Sequence, residues 1–215
     1  MLILTLLQSN PVIALAFITG LVSAITIHEF AHAYVAWRLG DPTAKLAGRL
    51  TLNPASHLDP LGTLALLIVG IGWGKPTPFD PFNLRNIKRD SALISVAGAA
   101  SNFILAFLLS VPYLIAFFTQ HLNLTINSIY QILSIIIWIN LILGVFNLIP
   151  IHPLDGFKVL AGLLPRDWYR DFIQTERWGI FILILLLATG RIGKILFPLV
   201  SSLFSLLIPG LTTPF

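Results

Sequence analysis

A short motif near the start of the chain combines two histidines and a glutamate at a spacing that suits metal chemistry. His28, Glu29 and His32 form the pattern His-Glu-x-x-His between apolar flanks. On an α-helix, residues four apart lie on one face with Cβ atoms about 5 to 6 Å apart, so both imidazoles can bind one ion. Glu29 lies close enough to act on a water bound there. Ionisable groups seldom persist in an apolar helix without a partner or a function, which argues against a chance occurrence.

A third metal ligand must come from elsewhere, because a catalytic zinc ion usually has three protein ligands and a water. The chain has no cysteine, so this ligand should be His, Asp or Glu. Asp155 stands apart from the other carboxylates because it follows a long apolar run, next to helix-breaking prolines and Gly156. His152 is a weaker competitor, since the prolines leave the direction of its side chain undetermined. The remaining candidates lie in polar connections, where a solvated carboxylate is expected: Asp41, Asp59, Asp80, Asp90, Asp167, Asp171 and Glu176.

The composition is typical of an integral membrane protein, with 56% apolar and 10% charged residues in a chain of 215. Apolar stretches cover residues 12–37, 61–73, 92–118, 129–149, 178–189 and 195–208. We therefore expect an all-α polytopic bundle of about four to six transmembrane segments, forming one domain over residues 1–215. The stretches 61–73, 178–189 and 195–208 are short, and whether they cross the bilayer or re-enter stays open.

The basic residues indicate how the bundle is oriented. Most of the 13 Lys and Arg residues fall within 38–49, 75–89 and 158–177, whereas 119–127 has none. The positive-inside rule makes the basic loops cytoplasmic and places the metal motif in the cytoplasmic half of the membrane. This topology requires that 61–73 enter and leave on the same side. The basic residues are not gathered in a separate tract, so nothing supports binding of nucleic acid.

Residues 44–52 have a strand-like pattern with Gly48 at a plausible turn, flanked by two Asx-Pro pairs. We expect that this stretch could form a short membrane-associated β-hairpin.

Taken together, these motifs resemble the site-2 protease family. His-Glu-x-x-His on one membrane helix is followed by Asn-x-x-Pro-x-x-x-Leu-Asp-Gly at 147–156. The sequences NPASHLDPLGT at 53–63 and GWGKP at 72–76 are similar to those of the compact bacterial and archaeal members. The resemblance covers about residues 24–162. The chain departs from many members where Gly98 is followed by alanine instead of proline, and no PDZ or CBS domain is present.

The resemblance implies a membrane zinc metalloprotease with one zinc ion. His28, His32 and Asp155 would hold the ion and Glu29 would be the general base. The implied reaction is hydrolysis of peptide bonds within or near transmembrane segments of membrane protein substrates, as in regulated intramembrane proteolysis.

Weaker expectations concern substrate binding. The resemblance implies that Asn147 or Asn102 steadies the peptide or its oxyanion, and that the 44–52 hairpin could pair with an unwound substrate. His57, in a polar connection, is a further candidate for the substrate site.

Three other functions would use some of the same residues. A catalytically silent zinc-binding scaffold for transmembrane partners would not need Glu29. A membrane protease of the prenyl-peptide type would need a distal glutamate ligand, for which Glu176 is the candidate. A metal-binding transporter would favour paired helix breaks in two matching halves, which the sequence lacks. The sequence indicates neither the natural substrate nor the oligomeric state.

Overall fold

The computed structural model describes residues 8, 10–69, 72–119 and 128–214. In these ranges the chain is helical, and no β-strand occurs. The α-helices are α1 Pro11–Arg38, α2 Thr43–Leu46, α3 Pro60–Val69, α4 Ile87–Phe118, α5 Ser128–Asn147, α6 Asp155–Leu163, α7 Arg166–Gln174, α8 Glu176–Ala188 and α9 Arg191–Leu207. Short 3-10 turns lie at Pro54–Ser56 and Pro81–Asn83.

Within the part of the chain that the structure describes, three helices, α1, α4 and α5, are long and apolar enough to cross a membrane. The helices α8 and α9 meet at a bend of 76° and together meet the same test as one broken span. The chain is therefore an all-α polytopic membrane protein, with three or four spans within the described residues, and four is the lower end of the predicted range.

Local sequence explains where the two longest helices begin. The side chain of Asn10 accepts a hydrogen bond from Ile13 N at 3.2 Å, with Pro11 as the first residue of α1. Asn86 caps α4 in the same way, accepting from Arg89 N at 3.0 Å. Both caps satisfy backbone N–H groups that have no partner within the helix.

The helix α4 lies at the centre of the bundle and packs against α1, α5 and α6. On the other face of α5, the ring of Trp138 packs edge to face against Phe204 of α9, with the ring centroids 5.2 Å apart. The start of α9 lies beside the end of α5, and Tyr113 of α4 donates a hydrogen bond to Pro209 O just past the other end of α9. The two helices α5 and α9 therefore run in opposite directions.

The segment around α3 turns back on itself. Its ten residues extend only about 15 Å, half of a typical hydrocarbon core. Leu58 before the helix forms an antiparallel bridge with Gly74 after it, and Lys75 N donates to His57 O at 2.8 Å. The two ends therefore lie side by side, as expected for a segment that enters and leaves on one side.

The predicted hairpin at 44–52 is wrong. Residues Thr43–Leu46 form a helical turn instead, and Arg49 N donates to Ala44 O at 2.8 Å just beyond it. The cause is Asp41, whose carboxylate accepts from Thr43 N at 3.0 Å and from Thr43 Oγ1 at 2.5 Å. This local side-chain interaction starts a turn and prevents an extended strand.

Asp41 also joins distant parts of the chain. Its carboxylate is fully buried and accepts from Asp80 N at 2.7 Å and from Asn83 Nδ2 at 2.8 Å. Burial raises the pKa of Asp41, but the hydrogen bonds from Thr43, Asn83 and Asp80 outweigh burial and leave the pKa below its ordinary value of 3.8. The charged carboxylate therefore stabilises the connection between α1 and α4.

Replacing Asp41 by asparagine should lower stability in a way that depends on pH. The change leaves an NH2 group facing backbone donors, at a loss of roughly 2 kcal/mol at neutral pH. Because the folded pKa is lowered, the contribution of the carboxylate is full above pH 3.8 and is lost as pH falls through the folded pKa. Thermal unfolding should show a Tm gap between wild type and Asp41→Asn that is constant from pH 7 to about 5 and narrows below about 4. A gap that widens in acid would contradict this account.

Candidate metal centre

The structure brings together the three residues proposed from the two motifs. His28 Nε2 and His32 Nε2 lie 2.9 and 3.1 Å from Asp155 Oδ2. One ligand atom from each residue lies within 4.8 Å of the others, and both histidines are buried. Two imidazole nitrogens and one carboxylate oxygen are the donors of a catalytic zinc site with a fourth position for water.

Asp155 reaches the centre because the chain turns sharply after α5. Residues 148–154 form consecutive turns, with Leu154 N donating to Ile151 O at 2.9 Å, and Asp155 is the first residue of α6. Gly156 packs directly on this turn, where a Cβ atom would lie 2.2 Å from Leu148 O. Only glycine allows α6 to begin this close to the end of α5.

Hydrogen bonds behind the two histidines fix their rings. His32 Nδ1 lies 2.7 Å from Ile94 O, and because a carbonyl can only accept, Nδ1 carries the hydrogen. His28 Nδ1 lies 2.7 Å from Asn102 Oδ1, while Asn102 Nδ2 donates to Ala24 O at 3.1 Å and to Asn140 Oδ1 at 3.0 Å. These bonds set both Nδ1 atoms as donors and leave the Nε2 lone pairs for the metal.

Gly98 of α4 forms the wall of the centre. A Cβ atom at this position would lie 2.5 Å from His32 Nε2 and 2.6 Å from His28 Nε2. The ligand nitrogens thus converge on a space that any side chain at position 98 would fill. This space, together with the donor set, fits a zinc ion.

Glu29 is held by a residue that the sequence had not indicated. Its Oε2 accepts from Thr77 N at 2.8 Å, and Thr77 Oγ1 donates to Glu29 O at 3.0 Å. Among the described residues, no hydrogen bond reaches Glu29 Oε1. Thr77 lies directly after the GWGKP motif, which was the available signal.

A cavity of about 160 Å³ surrounds these groups. Glu29, Thr77, Asn147 and Lys158 line it together with the three ligands. As a metal ligand Asp155 would be ionised, because a carboxylate binds a metal ion through its deprotonated oxygens.

The predicted substrate residues differ in where they lie. Asn147 lines the cavity, and its Nδ2 donates to Leu143 O at 3.0 Å. Asn102 is fully buried, and its amide bonds to His28, Ala24 and Asn140 within the bundle. His57 is also fully buried, with Nε2 2.7 Å from Thr51 O, and lies outside the cavity lining.

His152 and Glu176, the other candidates for the third metal ligand, pair with each other. His152 Nε2 lies 3.3 Å from Glu176 Oε1, an ion-pair distance between the turn before α6 and the start of α8. Neither residue belongs to the group of ligand atoms at the centre. The geometry therefore favours Asp155 as the third ligand over both.

The fold and these donors define a membrane-embedded metal-dependent hydrolase. The model of Peptidase family M50 matches residues 114–188. Among relatives, "Putative zinc metalloprotease YwhC" of Bacillus subtilis is 38% identical over 184 residues, 85% of this chain and 84% of that protein. "Putative zinc metalloprotease Rip2" of Mycolicibacterium smegmatis is 32% identical over 196 residues, 85% of this chain and 70% of that protein.

A more distant relative is "Zinc metalloprotease MJ0392" of Methanocaldococcus jannaschii, 27% identical over 166 residues, 77% of this chain and 39% of that protein. No solved structure matches the chain. The chain belongs to Peptidase family M50, the site-2 proteases, and is a zinc metalloprotease. This confirms the resemblance inferred from the motifs.

Gly98→Ala should remove zinc while leaving the bundle folded. The new methyl group would occupy the space between the two Nε2 atoms, so zinc affinity should fall about 10- to 100-fold or more. Metal analysis of purified protein after equilibration with a competing chelator measures this. The matched control is Gly193→Ala in α9, where the added Cβ would meet only the Phe197 ring at 3.2 Å. Equal zinc affinity in wild type and Gly98→Ala would show that the metal lies elsewhere.

Proposed function

We propose that this protein is an intramembrane zinc metalloendopeptidase that hydrolyses peptide bonds within or near transmembrane segments of membrane proteins, in regulated intramembrane proteolysis. The observation that carries this proposal is the depth of the centre. His28 precedes the end of α1 at Arg38 by ten residues, or roughly 15 Å along the helix. A peptide bond cut there would lie below the membrane surface.

In this proposal His28, His32 and Asp155 hold zinc, and Glu29 is the general base. Zinc, when bound, lowers the pKa of water and polarises the carbonyl of the scissile bond. Glu29 takes a proton from the attacking water as the water oxygen bonds to the carbonyl carbon. Glu29 then gives that proton to the amide nitrogen as the C–N bond breaks. Thr77 N–H occupies Oε2, which leaves Oε1 to carry the proton.

The size of the cavity supports cleavage of an unwound substrate. A helix with side chains is about 10 to 12 Å across, too wide for a cavity of about 160 Å³. An extended peptide, in contrast, exposes its carbonyl groups and needs new hydrogen-bond partners. Asn147 lines the cavity at the end of α5, and we assign its amide to this role.

The orientation is part of the proposal. The basic residues near the end of α1, near the start of α4 and from α6 to the start of α8 support a metal centre on the cytoplasmic side of the prokaryotic cell membrane. The substrate would then be cut near the cytoplasmic end of its transmembrane segment.

The alternative is a silent zinc-binding scaffold that holds transmembrane partners. Glu29 argues against it, because a scaffold has no use for a carboxylate positioned by a backbone N–H and facing the metal cavity. Glu29→Gln separates the two functions. It keeps the shape and the bond from Thr77 N–H but removes the base.

Glu29→Gln should bind zinc as the wild type does and cleave a single-span substrate about 10² to 10⁴ times more slowly. Purified protein in proteoliposomes, with zinc content measured on each sample, provides the test. Glu176→Gln is the matched control, because it removes a carboxylate that pairs with His152 outside the centre. If Glu29→Gln cleaves as fast as wild type, the assigned base is wrong. If no form cleaves any of a broad panel of substrates, the scaffold is favoured.

The substrate sequence should also affect the rate. Replacing Gly or Pro near the cleavage site by leucine makes the substrate helix harder to unwind, by about 1 kcal/mol for Gly and about 3 for Pro. Cleavage should slow by roughly 5-fold or more for each change. The same changes two turns away serve as controls. Equal rates for all substrates would argue against local unwinding before cleavage.

A further inference from the structure

A second cavity, of about 360 Å³, lies where the end of α1 meets the start of α4. Three arginines line it: Arg38 at the end of α1, and Arg85 and Arg89 on either side of the α4 N-cap. The backbone at Leu39 and Gly40 completes one wall. This cavity is separate from the metal centre and shares no lining residue with it.

The positive charge of this cavity is mostly uncompensated. Among the described residues, none of the three arginines forms an ion pair, and Arg38 donates only to Tyr34 OH at 3.3 Å. Asp90 is the acidic residue in the lining, but it is buried and its Oδ2 accepts from Asn86 N at 2.9 Å. Three cations and one anion leave a formal charge of about +2 facing the cavity.

The surroundings place this charge at a membrane surface. Arg38 is the last residue of the spanning helix α1, and Trp37 beside it is 38% exposed. Phe82, three residues before Arg85, is 89% exposed, and Leu46 after α1 is 82% exposed. Large apolar side chains next to arginines are typical of segments that lie in the headgroup and upper acyl region of a bilayer.

We propose that the Arg38, Arg85 and Arg89 cavity binds the phosphate group of an anionic phospholipid. Guanidinium groups match phosphate oxygens with paired hydrogen bonds, and the exposed Phe82 and Leu46 suit contact with acyl chains. The first turn of α4 adds the favourable positive end of a 32-residue helix dipole.

The bound phosphate joins the two helices that form the metal centre. Helix α1 carries His28 and His32, and α4 carries Gly98 and the Ile94 carbonyl that orients His32. A phosphate held by Arg38 from one helix and by Arg85 and Arg89 from the other keeps their ends together. Anionic lipid therefore stabilises the fold and slows zinc loss.

The test compares zinc-bound protein in nanodiscs of phosphatidylcholine with and without phosphatidylglycerol. The wild type should gain roughly 3 to 6 °C in Tm from phosphatidylglycerol, as for a site filled at about ten times its Kd. Release of zinc to a chelator should slow in parallel. The triple variant Arg38→Gln, Arg85→Gln, Arg89→Gln should lose most of both effects.

The matched control removes the same charge from another basic group, in the triple variant Arg166→Gln, Arg170→Gln, Arg177→Gln. This control should keep the response to phosphatidylglycerol. If both triple variants lose it equally, the effect is diffuse surface electrostatics and the site is refuted. Should the first triple variant fail to fold, Arg85→Gln alone, in the exposed loop before α4, should still reduce the Tm gain at least twofold.

A final measurement distinguishes binding of a lipid headgroup from binding of soluble phosphate. Inorganic phosphate added to protein in phosphatidylcholine nanodiscs should leave Tm unchanged, because the site gains from apolar contact as well as from charge. A rise equal to that with phosphatidylglycerol would overturn the lipid as the ligand.

Discussion

The close approach of α4 to α1 at Gly98 is the contact on which the metal centre depends. In an apolar bundle the polar groups of two histidines and an aspartate must all find partners within the protein, because lipid offers none. With hydrogen in place of a side chain at position 98, the α4 backbone comes within contact of both Nε2 atoms. The same approach brings Ile94 O and the Asn102 amide to the Nδ1 atoms. Gly98 therefore leaves room for a metal ion and also allows the hydrogen bonds that orient His28 and His32.

Much of the centre could be predicted from sequence because it depends on local rules. The spacing of His28 and His32 puts them on one face of a helix wherever that helix lies. Asp155 was recognisable as a carboxylate placed after a spanning segment, among prolines and a glycine. The spanning helices α1, α4 and α5 follow from their length and apolar content. None of these inferences requires knowledge of how the helices pack.

The features that were missed depend on packing between distant residues. Thr77 bonds Glu29 across 48 positions, and the neighbouring GWGKP motif marks the segment without revealing which residue it pairs with. The family resemblance pointed to Asn102 as a substrate residue, but the bonds of its amide to His28, Ala24 and Asn140 depend on helix packing that sequence does not show. The hairpin prediction failed for the opposite reason, since two local hydrogen bonds from Thr43 to Asp41 start a helical turn in a stretch that otherwise resembled a strand. The spacing of residues in the sequence predicts which side chains share a face of a helix. The role of each polar side chain depends on the contacts that its atoms make in the fold.

The short segment around α3 has a consequence for how activity can be controlled. Its end at Thr77 both lines the cavity and fixes the carboxylate of Glu29, while Gly74 and Lys75 tie it to Leu58 and His57. A displacement that moved Thr77 away from α1 would therefore also break the hydrogen bond that Glu29 accepts from its backbone N–H. The same residue thus borders the space that a peptide would enter and fixes the orientation of Glu29, so a single movement of this segment would change both together.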